Sequence, residues 1–291
     1  MTPFDAKTLG RREALRVLGA SAAALPFLAA CGDTGSMSGV DGGTSSGLDA
    51  ATGTDAATGT DAATTGTDAG SADEWASGGT ASMADPTSYP DPFETIEAAS
   101  CAFYAQSTLG PCYYTTPVRQ DISEGYPGLP MSLRLRVMNE SCEPMEGARV
   151  EIWHTRNSGL YSGGPSGMCT DNDADALANL YFRGGQVTDT EGKVTFATCM
   201  PGWYSSRAVH IHFQVFLADG STATSISQLF FQPDLLTEVF SSHPEYSEFG
   251  QPDTSNARDN IYPGVGDSGL LEYARMDDGA MLSWKDIIIR S

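Results

Sequence analysis

The chain has 291 residues, 40% hydrophobic and 18% charged, with 32 glycines and a formal net charge of −21. That length allows one large domain or two small ones, and it suffices to bury a core. The 37 Asp and Glu against 16 Lys and Arg leave nothing to offset phosphate charge, so no nucleic acid partner is expected.

The first segment, residues 1–31, reads as an export signal. Arg11 and Arg12 precede an apolar run from Val17 to Leu28, too short to span a bilayer as a mature helix. The paired arginines resemble a twin-arginine signal, with Ala14 where a bulky apolar residue is usual. Leu28 to Cys31 resembles a lipobox. A lipid anchor on Cys31 is therefore expected, with the protein at the bacterial envelope, periplasmic or on the cell surface. Residues 32–92 form a low-complexity stretch in which Gly53–Thr58 recurs as Gly59–Thr64. This Gly, Thr, Ala and Asp mixture cannot bury enough apolar surface to offset its ordering entropy, and it reads as a disordered tether. Trp75 receives no role.

Residues 93–291 have the composition of a folded domain. Met131–Val137 and Ala148–Trp153 alternate apolar with polar residues, as half-buried strands do. Lys193–Thr198, Val209–Leu217 and Thr224–Phe231 read as further strands, each set off by turn residues. The best helix candidate is short, Pro233–Phe240, with Asp234 in its first turn. The expected fold is all-β, an antiparallel β-sandwich with long loops and few short helices. Beyond Cys31 lie Cys101, Cys112, Cys142, Cys169 and Cys199. An odd number permits at most two bridges within the chain and leaves one thiol. The spacing contains no CxxC pair, which argues against a zinc site.

Val209–Leu217 carries the most chemistry. Residues two apart on a strand share a face, so His210 and His212 project together, close enough to share one metal ion. Tyr204 and Arg207 lie on the turn opened by Pro201 and Gly202, adding a possible phenolate and a cation. His154 and His243 have no partners nearby and read as structural. Absence of an HExxH motif or clustered carboxylates leaves a zinc or copper hydrolase without its third ligand and base.

Pro201–Tyr204, Arg207–Phe213 and Val150–Tyr161 resemble the signature blocks of intradiol ring-cleaving dioxygenases. Thr108–Tyr113, Arg183–Asp189 and Ser227–Phe231 add to the resemblance, which runs in order from about Cys101 to Asp259. It implies one non-haem Fe(III) ion per chain, held by Tyr161, Tyr204, His210 and His212. Taken without it, each tyrosine reads as an ordinary half-buried aromatic. The resemblance also implies that a small aromatic diol displaces Tyr204 and that O2 opens its ring to a cis,cis-muconate-type product. Arg207 corresponds to an active-site arginine that stabilises developing negative charge, and Gln228 to a pocket glutamine. Outside the resemblance, Arg207 reads as half of an ion pair and Gln228 as a strand hydrogen-bond filler.

The chain departs from the family at Thr108–Cys112, where Leu109 replaces a usual acid and Cys112 a common aromatic. Tyr113 or Tyr114 is a candidate pocket residue. Ser162–Asn179, rich in Gly, Asp and Asn, reads as a lid or rim. Its Cys169 is expected to bridge Cys199, and Cys112 to bridge Cys142, leaving Cys101 free. The reading from a different class is a non-catalytic β-sandwich binding module at the cell surface. The particular catechol and the oligomeric state stay open.

Overall fold

Alternating burial generates the first sheet. In β1 (Pro130–Met138), Met131, Leu133, Leu135 and Val137 are fully buried while Arg134 and Arg136 face outward. The computed structural model describes residues 74–94, 101–164, 167–218, 220 and 223–290. The expected export signal, lipobox cysteine and tether, up to residue 73, lie outside the described residues. After β1 come β2 (Arg149–Trp153), α1 (Gly167–Thr170), α2 (Ala174–Ala178), β3 (Arg183–Val187) and β4 (Lys193–Cys199). Then follow β5 (His210–Phe216), β6 (Ala223–Phe230), α3 (Pro233–Ser242), α4 (Tyr262–Val265), β7 (Glu272–Arg275) and β8 (Met281–Ile288).

Two four-stranded sheets, ordered β4-β1-β8-β7 and β3-β2-β5-β6, face each other. Between them pack Leu133, Leu135, Val150, Ile152, Ile211, Phe213 and Val215, each contributing roughly 1.5–3 kcal/mol by burial. This is the expected all-β sandwich, with one difference. β1 pairs with β8 in parallel, whereas the other strand pairs are antiparallel. The long stretch between the two strands removes the hairpin constraint that forces antiparallel pairing. The glycine pair in β3 masks that strand in the sequence, yet Gly184 is required, because a Cβ there would collide with Ile122.

Residues 74–92, placed in the tether by composition, pack on the domain instead. Trp75 Nε1 donates to Glu238, Ala76 N donates to Gly279 O, and Arg134 donates to the carbonyls of Pro86, Tyr89 and Pro90. Met83 and Tyr89 join Ala280 and Leu282 in a separate apolar cluster. These few anchors are diluted among small polar residues, so averaged composition hides them.

The cysteine pairing also differs from expectation. Cys101 bridges Cys142 and Cys112 bridges Cys169, leaving Cys199 as a buried free thiol. Cys199 lies on β4 beside Gly128 and Tyr246, and burial pushes its thiol pKa up. Tyr161 N donates to Cys169 O, which turns Cys169 towards the loop that carries Cys112.

Alkylation of the denatured, unreduced chain should modify Cys199 and spare Cys101, Cys112, Cys142 and Cys169, as read by peptide mass spectrometry. Cys112→Ser should lower unfolding free energy by about 2–4 kcal/mol in denaturant titrations, since the bridge closes a long loop.

Candidate metal centre

The period of β5 sends His210 and His212 to the face opposite the Ile211, Phe213 and Val215 core side chains. Each imidazole is 3% exposed, and their Nε2 atoms stand 3.2 Å apart. Two phenols close on the same point. Tyr161 Oη lies 3.3 Å and Tyr204 Oη 3.4 Å from His210 Nε2. Tyr161 is buried, while Tyr204 is only partly so.

Backbone contact between two turns delivers these phenols. Gly202 N donates to Arg156 O, and Thr155 Oγ1 donates to Gly202 O. A Cβ on Gly159, at φ +83°, would run into Trp203 O, and one on Gly202 would run into Asn157 O. Only glycine permits that approach. Ser206, at φ 72°, sharpens the turn between Tyr204 and Arg207, and Asp253 holds it by accepting from Ser205 Oγ and Ser206 N.

The local chemistry prepares four donor atoms. His210 Nδ1 sits 2.6 Å from Ala208 O, so it carries the proton and Nε2 presents its lone pair to the phenols. Burial, aided by the Arg207 charge, pushes the His210 pKa down to about 3. Burial and then the unfavourable coupling to a protonated His210 hold His212 well below its ordinary value, so both rings are neutral. Burial raises the pKa of Tyr161 and, against the opposing charge of Arg207, that of Tyr204. A cation at the common point would reverse that preference and favour the phenolates. Among the described residues no group of three or more His, Cys, Asp and Glu side chains could hold a metal ion. The tyrosines must therefore complete any site at this His pair. Two imidazoles with two phenolates fit a hard, highly charged transition ion, and ferric iron suits that set.

Arg207 stands beside the donors. Its Nε donates to Asp259 Oδ2 at 2.8 Å, one Nη donates to Gln228 Oε1, and the other lies 3.5 Å from Tyr204 Oη. Gln228 pairs with His212 across β5 and β6, and its Nε2 is buried without a protein partner. The structure thus groups all the residues singled out for this site: Tyr161, Tyr204, Arg207, His210, His212 and Gln228. His154 bonds Thr155 O and Thr198 Oγ1, and His243 bonds Ala76 O, so both serve the framework. Asp259 is the residue that sequence reasoning missed. It follows a 3-10 turn in a loop far down the chain, and no local pattern marks it.

Residues 103–244 match the Dioxygenase_C family, described as a dioxygenase. The matched segment is similar to dioxygenase domains. It is 28% identical over 153 residues to the protocatechuate 3,4-dioxygenase beta chain of Burkholderia cepacia, covering 49% of this chain and 63% of that one. It is 29% identical over 104 residues to the chlorocatechol 1,2-dioxygenase of Pseudomonas putida, covering 30% and 36% of the two chains. The chain thus spans less than two thirds of the length of these relatives. An intradiol ring-cleavage dioxygenase from Tetranychus urticae shares the fold at a TM-score of 0.57 and 24% identity, over 65% of this chain and 95% of that one.

Asp259 yields a test. Burial opposes its ionisation, but Arg207 and the N–H groups of Ala208, Ile261 and Tyr262 outweigh this and hold its carboxyl below the usual range. A depressed folded pKa stabilises above the unfolded value of about 3.9 and loses that contribution as pH falls through the folded one. Asp259→Asn should therefore be less stable than wild type by about 1.5–3 kcal/mol near neutral pH, because half-buried Arg207 loses its charge-assisted bond to a carboxylate. Denaturant melts at neutral and strongly acidic pH should show the gap closing in acid; a gap that ignores pH contradicts this.

Proposed function

We propose that this domain is a non-haem Fe(III) intradiol dioxygenase, opening the ring of a catechol-type diol with O2 to a cis,cis-muconate-type product. The convergence of Tyr161, Tyr204, His210 and His212 on one point, within a segment that matches the dioxygenase family model, carries the reading. The relatives named for protocatechuate and chlorocatechols support an ortho-diol as substrate. When bound, the ferric ion would draw electron density from the diol and ready the ring for O2.

The chain's own residues supply the rest. Tyr204 is more exposed than Tyr161 and lies next to Arg207, which suits it to yield its place and accept a substrate proton at Oη. The Arg207 guanidinium, fixed by Asp259 and Gln228, presents positive charge where negative charge develops. The unpartnered Nε2 of Gln228 is a further donor for an oxygen of the bound diol. Trp153, Leu109, Tyr113 and the Cys112–Cys169 bridge pack around Tyr161 and exclude water. Two disulfides fit an oxidising compartment and so support export, while anchoring at the envelope rests on the lipobox-like Leu28–Cys31. The site argues against a non-catalytic binding module, which would have no use for four convergent donor atoms.

The purified protein should be burgundy from phenolate-to-iron charge transfer, with a visible band that shifts on adding catechol. A colourless preparation that consumes no O2 with a panel of catechols after ferric reconstitution would overturn the reading. Tyr161→Phe and His212→Ala should lose iron by elemental analysis. Arg207→Ala should keep its colour while kcat falls on the order of 100-fold, the usual loss for a charge-stabilising donor.

A further inference from the structure

The two histidines are held in different ways. His210 is oriented by its hydrogen bond to Ala208 O, whereas His212 Nδ1 is buried with no protein partner. A ring without a second hydrogen bond can pivot about its side-chain torsions unless packing stops it. Here packing acts at two places. The Trp153 indole lies parallel to the His212 ring, 4.9 Å between centroids and 8° between planes. Gly110 covers the ring elsewhere so closely that a Cβ on it would stand 3.0 Å from His212 Cε1.

Both halves of this contact trace to one short loop. Three residues beyond Gly110, Tyr113 sets its ring edge-on to Trp153 at 5.0 Å. Its hydroxyl donates to Glu151 Oε2 at 3.0 Å, and Glu151, 2% exposed, also accepts from Gln214 and Arg149. Between Gly110 and Tyr113, Cys112 is bridged to Cys169, and Arg183 donates to Cys112 O at 2.8 Å. Covalent and polar bonds thus fix the loop at its centre, while its ends press on His212 and brace Trp153.

We propose that Trp153 and Gly110 are positioning residues, a packing clamp that holds His212 Nε2 on the metal in place of the missing hydrogen bond, with Tyr113 and Glu151 bracing the indole. This rests on His212 being a ligand in the function proposed above. The planar face, rather than apolar volume alone, does the positioning. Trp153→Phe keeps a flat ring, whereas Trp153→Leu does not.

The experiment measures ferric ion loss from the reconstituted full chain to an excess of a hydroxamate chelator, with the visible band recorded throughout. Trp153→Leu should lose iron about 10-fold faster than wild type and shift the band, the scale typical of a lost supporting contact at a metal ligand. Trp153→Phe should restore both to near wild type. Gly110→Ala, which pushes on the ring at Cε1, should also hasten loss. In the metal-free protein, the His212 Cε1 proton should show an aromatic ring-current shift that Trp153→Leu abolishes. Wild-type rates and band in Trp153→Leu would overturn the clamp, and so would equal losses in the Leu and Phe variants. Should Trp153→Leu fail to fold, Gly110→Ala decides, and wild-type metal retention there rejects the proposal. A wild-type chain that binds no ferric ion rejects the proposed function, while the ring-proton shift still reports whether the indole orients His212.

Discussion

The two phenols of the site depend on two backbones touching. The turn from Arg156 to Gly159 and the turn at Gly202 and Trp203 press together so closely that a methyl group on either glycine would strike a carbonyl. That contact brings Tyr161, beyond the end of β2, alongside Tyr204, ahead of β5. The strands fix the histidines through regular alternation, but the phenols come from irregular chain, whose position only neighbouring backbone can set. Close packing thus does for the loops what hydrogen-bonded ladders do for the strands.

Electrostatics then settles what the assembled atoms can hold. Neutral imidazoles and protonated phenols are the forms that burial favours, and both become good donors only towards a cation. Arg207 is the one guanidinium seen to reach a phenol oxygen of this group, and Asp259 compensates its charge from behind. Asp259 is almost completely enclosed, yet it receives one guanidinium and three backbone N–H groups. The guanidinium is therefore held beside the donors without competing for the metal.

Much of this was legible from residue order. Period-two alternation exposed the pairing of His210 with His212 and the strands Met131–Val137 and Ala148–Trp153. The tyrosines were legible only through resemblance, because a ligand tyrosine looks like any other half-buried aromatic. Asp259 stayed hidden because it acts across a loop with no periodic signature. Strand β3 was obscured by glycines that serve close packing against Ile122. Cysteine pairing failed for a related reason. Sequence gives the number of thiols, but partner choice depends on how loops turn, and the structure places Cys169, whose carbonyl accepts from Tyr161 N, against Cys112.

The lone thiol on β4 has a consequence for how the molecule is made. Of the five cysteines in the described domain, four pair and Cys199 is sealed beside Tyr246 and Gly128. In an unfolded chain under oxidising conditions, all five compete, and a bond to Cys199 withdraws one half of a correct pair. The order of events therefore matters. If β4 enters its sheet before oxidation, the competitor is removed and the remaining four sort by proximity. Burial of a single sulfur thus acts as a proofreading step, decided by the relative speeds of collapse and oxidation.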